Sequence, residues 1–281
     1  MNAALFSNYF VLITGASRGI GAQIAQKVCD QGGRVWLLAR NQEQLQKLSD
    51  DLNQNTQGFA QWSSIDLSNL DDVKNWLHQN QEQLSQVTSI IHNAGLDDFR
   101  PFESHSLTSL ELQINLNLTT PLLINGACIQ DLSQKSNPSV IHMSSLAGYF
   151  PVPFGAPYSA SKSALWQMNE ALAVEYSHMS IRWVSLHPGF INGVGMHERH
   201  KEQAGPAPLI LGGTSDQKVV KRAVKSILKG EGSYIINVSP VRPFLVLTLL
   251  FPRFYRWISR RFVYHYLSKV ASAQIKEEEQ K

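Results

Sequence analysis

Cysteine is scarce in this sequence, with only two among 281 residues, Cys29 and Cys128. Both lie in segments whose apolar spacing is typical of helices, whereas small proteins held together by disulfides carry many more cysteines. No disulfide framework is therefore expected, and a reducing compartment is predicted. Neither cysteine has neighbours at the spacing of a metal site, so no metal centre is expected.

Long apolar runs are also lacking. A helix that crosses a bilayer needs about 20 apolar residues, whereas the uninterrupted run from Pro243 to Phe251 has nine. The N-terminal stretch MNAALFSNYFVLITG has no positive charge ahead of its apolar residues, so we expect a first strand there and no signal peptide. These features predict a cytoplasmic protein.

Acidic residues are absent from residues 232–276, which contain seven lysines and arginines. In residues 1–231, by contrast, 17 basic residues stand against 19 acidic ones, so the formal net charge of +3 arises near the C-terminus. A local basic excess fits an acidic partner or a phospholipid surface better than general binding of nucleic acid. No nucleic-acid partner is expected.

Short β-branched runs alternate with longer helical patterns through the first 240 residues. In chain order the runs are YFVLIT, RVWLLA, GFAQWSSI, VTSIIH, SVIHMS, IRWVSL and SYIINV. This alternation predicts an α/β fold, in which a doubly wound parallel sheet carries helices on both faces and binds ligands beyond the carboxyl ends of its strands. We expect one domain at residues 1–240, followed by a C-terminal apolar and basic helical extension at residues 241–281.

A glycine-rich turn, TGASRGIG at residues 14–21, follows the first of these runs. Gly15, Gly19 and Gly21 allow a sharp turn and a close approach to a ligand, and a helix that begins near Ile20 would direct N–H groups at a phosphate. The spacing alone also describes an ordinary tight turn between a strand and a helix. Its position after the first strand of a βαβ unit favours dinucleotide binding.

The end of the second strand bears on which dinucleotide binds. Enzymes that use NAD are expected to place Asp or Glu there to hold the ribose diol, but this chain has Ala39 followed by Arg40. A guanidinium pairs bidentately with a 2′-phosphate, and Arg18 in the glycine-rich turn offers a second cation. A lone arginine is commonly a solvated surface charge, yet two around one predicted pocket favour NADP(H) over NAD(H).

Tyr158 and Lys162 lie four residues apart in YSASK, and Ser145 precedes Tyr158 by thirteen residues. Residues at i and i+4 share one helical face. The Lys162 ammonium can therefore stand beside the Tyr158 phenol and depress its pKa from about 10. A tyrosine tuned in this way can exchange a proton with a substrate oxygen. The spacing by itself is common, and Ser145 at the end of the strand SVIHMS makes it informative.

Together these motifs resemble the short-chain dehydrogenase/reductase family, over residues 8 to 240. The matching segments are TGASRGIG, Asp66-Leu67, His92-Asn93-Ala94-Gly95, Ser145, YSASK and Pro188-Gly189. The resemblance implies a Rossmann-type domain with about seven parallel strands, assembled as a homodimer or homotetramer. It also implies NAD(P)-dependent reduction of a carbonyl or oxidation of an alcohol.

The same resemblance assigns roles to single residues. It implies that Tyr158 is the catalytic acid/base and that Lys162 lowers its pKa and holds the nicotinamide ribose. Ser145 would polarise the carbonyl, and Asn117 would complete a proton relay. The cofactor-binding residues expected in this way are Gly15, Ser17, Arg18, Gly19, Ile20, Gly21, Arg40, Asp66, Leu67, Asn93, Ala94, Gly95, Tyr158, Lys162, Pro188, Gly189 and Ile191.

Two assignments involve a choice between neighbours. Ser145 is preferred to Ser144 because its distance from Tyr158 fits the family, and Asn117 is preferred to Asn115 because LTTPLL after it looks like the family's helix. A third assignment has a structural alternative: Asp66 is expected to bond the adenine, but an Asx-turn or a helix cap near Asn69 explains an aspartate there equally simply.

The chain departs from the family pattern in two places. His92 stands where an asparagine is more usual. After Pro188-Gly189 many relatives have a threonine that bonds the nicotinamide amide, whereas this chain continues from Phe190 to Met196 without one. Asn192, or backbone groups near Ile191, would have to replace that threonine.

The leading hypothesis is an NADPH-dependent reductase in which Tyr158 protonates the alkoxide that hydride transfer produces. The competing hypothesis is a non-catalytic NADP-binding or scaffold protein, which would have no physical need for the full set of Asn117, Ser145, Tyr158 and Lys162. The apolar loop Phe150–Phe154 follows a strand next to this set. It favours a hydrophobic or lipid-like substrate, although ordinary packing of the loop explains it as well.

The stretch VRPFLVLTLLFPRFYRWISRRF at residues 241–262 mixes arginines with aromatic residues. On a helix Arg253, Arg256 and Arg260 share one face, while Phe254, Trp257, Ile258 and Phe262 lie largely on another. This pattern is typical of a helix that lies on a membrane surface, and it predicts a peripheral contact through residues 243–269 on the inner face of a membrane. A helix that packs on a dimer partner, or over the substrate pocket, would have the same periodicity.

Overall fold

The computed structural model describes residues 5–192, 205, 213–237 and 241–279. Its strands are β1 (Phe10–Thr14), β2 (Arg34–Ala39), β3 (Phe59–Ser64), β4 (Ser89–His92), β5 (Ser139–Met143), β6 (Arg182–Pro188), β7 (Ile191–Asn192), β8 (Thr214–Ser215) and β9 (Gly232–Ile236). Seven of them form one parallel sheet in the order β3-β2-β1-β4-β5-β6-β9. The seven apolar runs of the sequence are these seven strands, so the predicted doubly wound sheet is confirmed.

Helices cover the sheet and extend beyond it. They are α1 (Gly19–Cys29), α2 (Gln42–Asn55), α3 (Leu70–Gln79), α4 (Gln81–Leu84), α5 (Leu107–Ile114), α6 (Thr120–Ser133), α7 (Ala156–Glu175), α8 (Asp216–Leu228), α9 (Val241–Leu250), α10 (Pro252–Ile258) and α11 (Tyr264–Glu279). Short polar side chains begin several of them: Asn41 caps α2, Asn69 caps α3 and Ser215 caps α8 by accepting backbone N–H groups. Two π-helical segments, Asn115–Thr119 and Ser259–Val263, join α5 to α6 and α10 to α11.

The sheet is buried on both faces, which explains why its strands read as continuous apolar runs. Successive residues of a strand point to opposite faces. Ile13 and Val35 therefore belong to one core cluster, whereas Leu12 and Trp36 belong to the other. Chain order reverses between β1 and β4, and in such sheets ligands bind beyond the carboxyl ends of the strands at that point.

Three structural features add detail to the predicted fold. Strands β7 and β8 form a separate two-stranded parallel pair, with Ile191 opposite Thr214. The basic extension is not one helix but α9, α10 and α11 in succession. Of the helices that the structure describes, none has the length and apolar character needed to cross a membrane.

Candidate active site

Two glycines of the turn after β1, Gly15 and Gly21, are packed too closely against their neighbours to carry a side chain. Gly15 has φ +64°, and a Cβ there would lie 2.8 Å from Ala94 Cα. A Cβ on Gly21 would lie 2.5 Å from the Gly15 carbonyl oxygen. Real Cβ atoms do not approach other atoms so closely, so both positions require glycine.

The amino end of α1 has the properties of an anion site. Arg18 precedes the helix without a side-chain hydrogen bond to it, and no acidic residue lies in the first turn. Gly19 has φ +61°, and a Cβ there would meet nothing within 4 Å, so the turn is open on that side. Unpartnered N–H groups at a helix N-terminus favour a phosphate, and the open side leaves room for the pyrophosphate of a dinucleotide.

Arg18 and Arg40 are both exposed, and each belongs to one of two adjacent chain segments. Ala16 N–H donates to the Leu38 carbonyl oxygen at 3.2 Å, which joins the glycine-rich turn to the end of β2 just before Arg40. Among the described residues neither arginine has a carboxylate partner within 4.0 Å. Both guanidinium groups therefore remain available to an anion.

Asp66 makes the Asx-turn that the sequence left as an alternative. Its Oδ1 accepts from Ser68 N–H at 2.9 Å and from Ser68 Oγ–H at 2.6 Å, while Asn69 caps α3. Leu67 is buried in the core, and its carbonyl oxygen accepts from Thr120. The expected contact of Asp66 with adenine stays a prediction, and Leu67 can offer only main-chain groups.

Asn93 joins the ends of β4 and β1. Its Nδ2 donates to the carbonyl oxygens of Thr14 and Gly15 at 3.0 and 3.1 Å, and Thr14 Oγ accepts from the N–H groups of Asn93 and Ala94, both at 3.0 Å. These four hydrogen bonds tie the chain after β4 to the glycine-rich turn after β1.

Tyr158 and Lys162 lie one helical turn apart near the start of α7, where Pro157 occupies the first turn. Lys162 Nζ lies 5.8 Å from the centre of the Tyr158 ring and donates to the Met143 carbonyl oxygen at 2.9 Å. Both side chains are buried, with Lys162 3% and Tyr158 9% exposed. The phenol and the ammonium are therefore neighbours in a site of low water content.

The two adjacent serines after β5 point to different partners. Ser145 accepts from Ala147 N–H at 3.1 Å and shares a side-chain hydrogen bond with Tyr158. Ser144 instead donates to the Lys162 carbonyl oxygen at 2.9 Å, inside the fold. The geometry therefore distinguishes Ser145, beside the phenol, from Ser144, which holds α7 to the sheet.

Asn117 lies in the π-helical segment between α5 and α6 and is fully buried. Its side chain pairs with the main chain of Leu96, accepting at 2.8 Å and donating at 2.9 Å, and donates to Ser161 Oγ at 3.1 Å. A Cβ on Gly95 would lie 3.3 Å from Lys162 Nζ and 3.4 Å from Asn117 Oδ1. Asn117 thus faces the lysine across Gly95.

Asn115, one of the two alternatives, points elsewhere. Its Nδ2 donates to the Ser68 carbonyl oxygen at 3.3 Å. A π-helical segment widens the turn by one residue and often occurs at functional sites. Here it directs Asn117 inward, across Gly95 from Lys162.

Burial dominates the electrostatics of the pair. It raises the pKa of Tyr158 above its usual value, the Asp97 carboxylate raises it further, and the hydrogen bond with Ser145 opposes these effects. Burial also lowers the pKa of Lys162 to about 8, although Asp97 opposes that shift. The prediction that Lys162 would depress the pKa of Tyr158 is therefore wrong for the net effect, because desolvation of a buried phenolate outweighs the nearby ammonium.

His92, the departure from the family's asparagine, begins a buried polar chain. Its Nε2 lies 2.8 Å from Asn125 Oδ1, Asn125 Nδ2 lies 3.0 Å from His142 Nε2, and His142 Nδ1 lies 2.9 Å from Asn169 Oδ1. The two imidazole rings stack with centres 4.9 Å apart. Burial lowers the pKa of His92 to about 4 and that of His142 well below its usual value, so both rings are neutral near pH 7.

The segment after β6 is only partly described. Gly189 N–H donates to the Ile236 carbonyl oxygen at 3.1 Å, and the Ile191 side chain packs against the core. Asn192 is exposed. The run from Gly193 to Met196, where relatives have the threonine that bonds the nicotinamide amide, lies outside the described residues. Contacts of Pro188, Gly189 and Ile191 with the cofactor remain predictions.

An apolar wall stands beside Tyr158, and the C-terminal helices supply much of it. The cluster consists of Phe99, Ala147, Tyr158, Val263, Tyr266, Leu267, Val270 and Ala271. Val152, Phe154 and Phe190 pack against it. The sequence did not decide whether residues 150–154 contact the substrate or only pack in the fold. Two of their side chains, Val152 and Phe154, pack against the wall that includes the predicted catalytic tyrosine.

Three residues of this site were not expected from the sequence. Asp97 and Phe99 follow His92-Asn93-Ala94-Gly95 in a segment that matches no motif, and Tyr266 lies more than one hundred residues from Tyr158. Tyr266 is 6% exposed, and its hydroxyl is buried with no hydrogen-bond partner among the described residues. The only sequence signal for Asp97 was the acidic pair Asp97-Asp98, which begins two residues after Gly95 in the segment that follows β4.

The sequence matches a family model described as short chain dehydrogenase over residues 9–205. Similar curated proteins include a ketoacyl reductase, HetN, of a Nostoc species, which is 25% identical over 88% of either chain. Another is an 11-beta-hydroxysteroid dehydrogenase-like protein of Arabidopsis thaliana, which is 29% identical over 83% of this chain and 74% of its own length.

Solved structures show the same architecture. A metagenomic short-chain oxidoreductase in complex with NADP is 25% identical and superposes with a TM-score of 0.69, covering 83% of this chain and 98% of its own. A short-chain dehydrogenase from Sphingobium yanoikuyae in complex with NADPH superposes with a TM-score of 0.72 over 86% of this chain and 93% of its own. At 22% identity the second likeness shows the fold alone.

Proposed function

Because this chain belongs to the short-chain dehydrogenase family, we propose that it is an NADP(H)-dependent oxidoreductase that reduces the carbonyl group of a hydrophobic substrate. The observation that carries this proposal is the gathering of Asn117, Ser145, Tyr158 and Lys162 from three separate segments around Gly95 and the amino end of α7. A scaffold protein would not need these four side chains in one buried site.

The cofactor would lie across the carboxyl edge of the sheet. The amino end of α1 would hold its pyrophosphate, Arg18 and Arg40 its 2′-phosphate, and Lys162 its nicotinamide ribose. When bound, the nicotinamide supplies the hydride for reduction or accepts it in the reverse direction. Gly15 and Gly21 let the cofactor approach the backbone, and Asn93 keeps that backbone in place.

Tyr158 and Ser145 would act on the substrate oxygen. Ser145 Oγ–H donates to the carbonyl oxygen and polarises it, and Tyr158 Oη–H passes its proton to that oxygen as negative charge develops there. Because burial raises the pKa of Tyr158, the tyrosine is protonated at neutral pH and is ready to act as an acid. Lys162, with Asn117 across Gly95, keeps a positive charge near the resulting tyrosinate.

Replacing Tyr158 by Phe tests the proposal directly. Loss of the proton donor should lower kcat for carbonyl reduction by a factor of roughly 10³, while NADPH binding, followed by cofactor fluorescence, stays within a few-fold. Tyr176→Phe, at the partly exposed residue directly after α7, is the matched control and should leave kcat unchanged. Undiminished turnover by the Tyr158 variant would show that Tyr158 is not the proton donor, whereas absence of turnover in the unchanged protein would favour the scaffold hypothesis.

Arg40 bears on the choice between the two cofactors. Arg40→Ala should weaken NADPH binding about tenfold or more, since an ionic hydrogen bond to a phosphate is lost, and should leave NADH binding nearly unchanged. Arg34→Ala is the control, because Arg34 is exposed at the opposite end of the same strand. Equal loss of NADPH and NADH affinity on changing Arg40 would contradict a role at the 2′-phosphate.

The apolar wall supports a hydrophobic substrate, and Tyr266 adds one polar feature. Its buried hydroxyl lies in the cluster that contains Tyr158 and has no partner among the described side chains. A buried hydroxyl without a partner is costly, and a polar group on the substrate would satisfy it. We therefore expect a bulky apolar carbonyl compound with a second polar group. Assembly as a homodimer or homotetramer and a cytoplasmic location remain predictions from the sequence.

A further inference from the structure

The C-terminal extension has two faces with different surroundings. Toward the fold, Ile258, Val263 and Leu267 are buried, at 9%, 7% and 1% exposed. Toward solvent, Phe251 is 56%, Trp257 60% and Phe254 36% exposed. The same segment therefore closes one side of the apolar wall and presents bare aromatic rings on the other.

Exposed arginines alternate with those rings along the chain. Arg253, Arg256 and Arg260 are all exposed, and we call them, together with Phe251, Phe254 and Trp257, the arginine–aromatic face. The rings of Phe254 and Trp257 stack with centres 6.3 Å apart. Among the ion pairs that the described residues form, none includes an arginine of this face. The sequence offers these arginines no local acid either, because residues 232–276 contain none.

The apolar surface continues along α9. Val246 is 58% and Leu250 67% exposed, and Leu250 directly precedes Phe251. Contiguous exposed apolar side chains with cations beside them are typical of a segment that lies in the plane of a membrane, with rings at the acyl boundary and guanidinium groups among the phosphates. Aromatic rings at that depth are favoured in membrane proteins for the same reason.

Charge decides between a membrane and a second copy of this chain. In a two-fold dimer the same patch faces itself, so arginines would approach arginines with no acidic residue of the segment between them. The surface of a bilayer that contains anionic lipids has the opposite charge and also accepts the exposed rings.

We propose that the arginine–aromatic face docks the protein on the surface of an anionic phospholipid bilayer. This contact would place the outer side of the apolar wall against the membrane, with Tyr158 on the inner side of the same wall. Only the exposure and the charge of the arginine–aromatic face support this docking, so a test of it does not depend on the oxidoreductase mechanism.

Vesicle flotation with the full chain tests it. We expect binding to vesicles of phosphatidylcholine mixed with phosphatidylglycerol, little binding to phosphatidylcholine alone, and weaker binding as salt is raised. Each arginine near an anionic surface contributes about fivefold to the affinity. The triple variant Arg253→Gln, Arg256→Gln and Arg260→Gln should therefore bind about 100-fold more weakly.

The matched control is Lys47→Gln, Lys221→Gln and Lys225→Gln, which removes the same charge from exposed positions on other helices. It should bind like the unchanged protein, and circular dichroism spectra of both triple variants should match that of the unchanged protein, which would show that they are folded. Trp257→Ala should weaken binding without changing its dependence on phosphatidylglycerol.

Three results would overturn the proposal. The first is equal binding to both kinds of vesicle, and the second is an equal loss of binding in the control variant. The third is a dimer in sedimentation velocity, without lipid, that the arginine variant or Trp257→Ala converts to monomer, because the face would then belong to a second copy of this chain.

Discussion

The buried residues of the site set the proton chemistry, and they do so against the simplest expectation. Lys162 lies beside Tyr158, but both are removed from water, and burial opposes the charged form of either group. A neutral phenol and a lysine with a pKa of about 8 follow. This state suits proton donation to a carbonyl oxygen near neutral pH.

The pKa of Lys162 predicts how kcat depends on pH above neutrality. Its charge is present below its pKa of about 8 and is lost as pH rises through that value. The kcat for carbonyl reduction should therefore be constant near pH 7 and fall as pH rises through about 8. In Lys162→Arg, whose guanidinium stays charged, this fall in kcat should vanish even if the plateau is lower. A fall that persists unchanged in the arginine variant would show that another group titrates.

The charge of Asp97 predicts the direction in which a substitution there shifts this fall in kcat. Its carboxylate raises the pKa of Lys162 and of Tyr158. Asp97→Asn should therefore shift the fall in kcat to lower pH, because the lysine loses its proton more easily. Glu103→Gln, an exposed carboxylate in the same segment, serves as the control and should leave the profile in place.

At the scale of the element, the turn between β1 and α1 shows that the effect of replacing a glycine by alanine depends on where the glycine lies. Gly15 has positive φ, and a Cβ there would lie 2.8 Å from the backbone of Ala94, whereas a Cβ on Gly126, inside α6, would meet nothing within 4 Å. The cost of a methyl group is therefore set by backbone conformation and by neighbours that follow β4, not by glycine as a residue type.

Alanine at these two glycines should have opposite effects. Gly15→Ala should lower the free energy of unfolding by about 1–3 kcal/mol, because it combines strain with a clash, and should weaken NADPH binding. Gly126→Ala should raise the free energy of unfolding by up to about 1 kcal/mol, since alanine favours a helix interior. Urea titration measures both, and destabilisation by the second change would show that a neighbour crowds Gly126 in α6.

The chain of His92, Asn125, His142 and Asn169 joins β4, α6, β5 and α7 across one face of the sheet. It predicts how stability depends on pH. In the unfolded chain His92 has a pKa near 6.5, whereas the folded protein holds it at about 4. Between these values the unfolded state binds more protons, so stability is present above about pH 6.5 and is lost as pH falls toward 4.

Acid should therefore weaken the fold before most carboxylates titrate. We expect His92 alone to account for a loss of about 2 kcal/mol in the free energy of unfolding between pH 7 and pH 5. Urea titrations at the two pH values measure it. His92→Asn, which restores the family's residue, should reduce the difference, and an equal difference in that variant would assign the acid sensitivity to other groups.

At the scale of the whole molecule, the extension supplies five of the eight buried residues of the apolar wall that includes Tyr158. Val270 is fully buried in the apolar wall, although it lies more than one hundred residues from Tyr158. Residues on both sides of the boundary predicted at residue 240 therefore pack in one cluster, and we expect the extension to govern substrate binding more than cofactor binding.

A charge placed under the extension tests this expectation. Val270→Asp should detach α11, because a carboxylate cannot stay unpaired in an apolar cluster, and should raise KM for a bulky hydrophobic ketone by about tenfold or more while NADPH affinity changes little. Val174→Asp, at a valine that is 76% exposed, is the control. Loss of NADPH binding in the Val270 variant would mean that the extension supports the whole fold.

The sequence by itself determined the sheet, the cofactor turn and the four side chains proposed for catalysis. Periodicity and glycine spacing are local properties, so YFVLIT, TGASRGIG and YSASK can be interpreted without knowing what surrounds them. The family resemblance supplied the pairing of Ser145 with Tyr158. The preference for Asn117 over Asn115 also came from the sequence alone, because it depended on the segment LTTPLL that follows Asn117.

Tertiary structure decided what depends on contact and burial. It placed Asp97 near Tyr158 and Lys162 and joined His92 to a polar chain through Asn125. It also buried Tyr158, so that the pKa of this residue is raised, whereas the sequence predicted that it would be lowered. It also showed that Ile258 faces inward while Phe254 and Trp257 face solvent. Periodicity groups residues by face, but only packing determines which face meets the protein, because desolvation depends on neighbours that lie far away in the sequence.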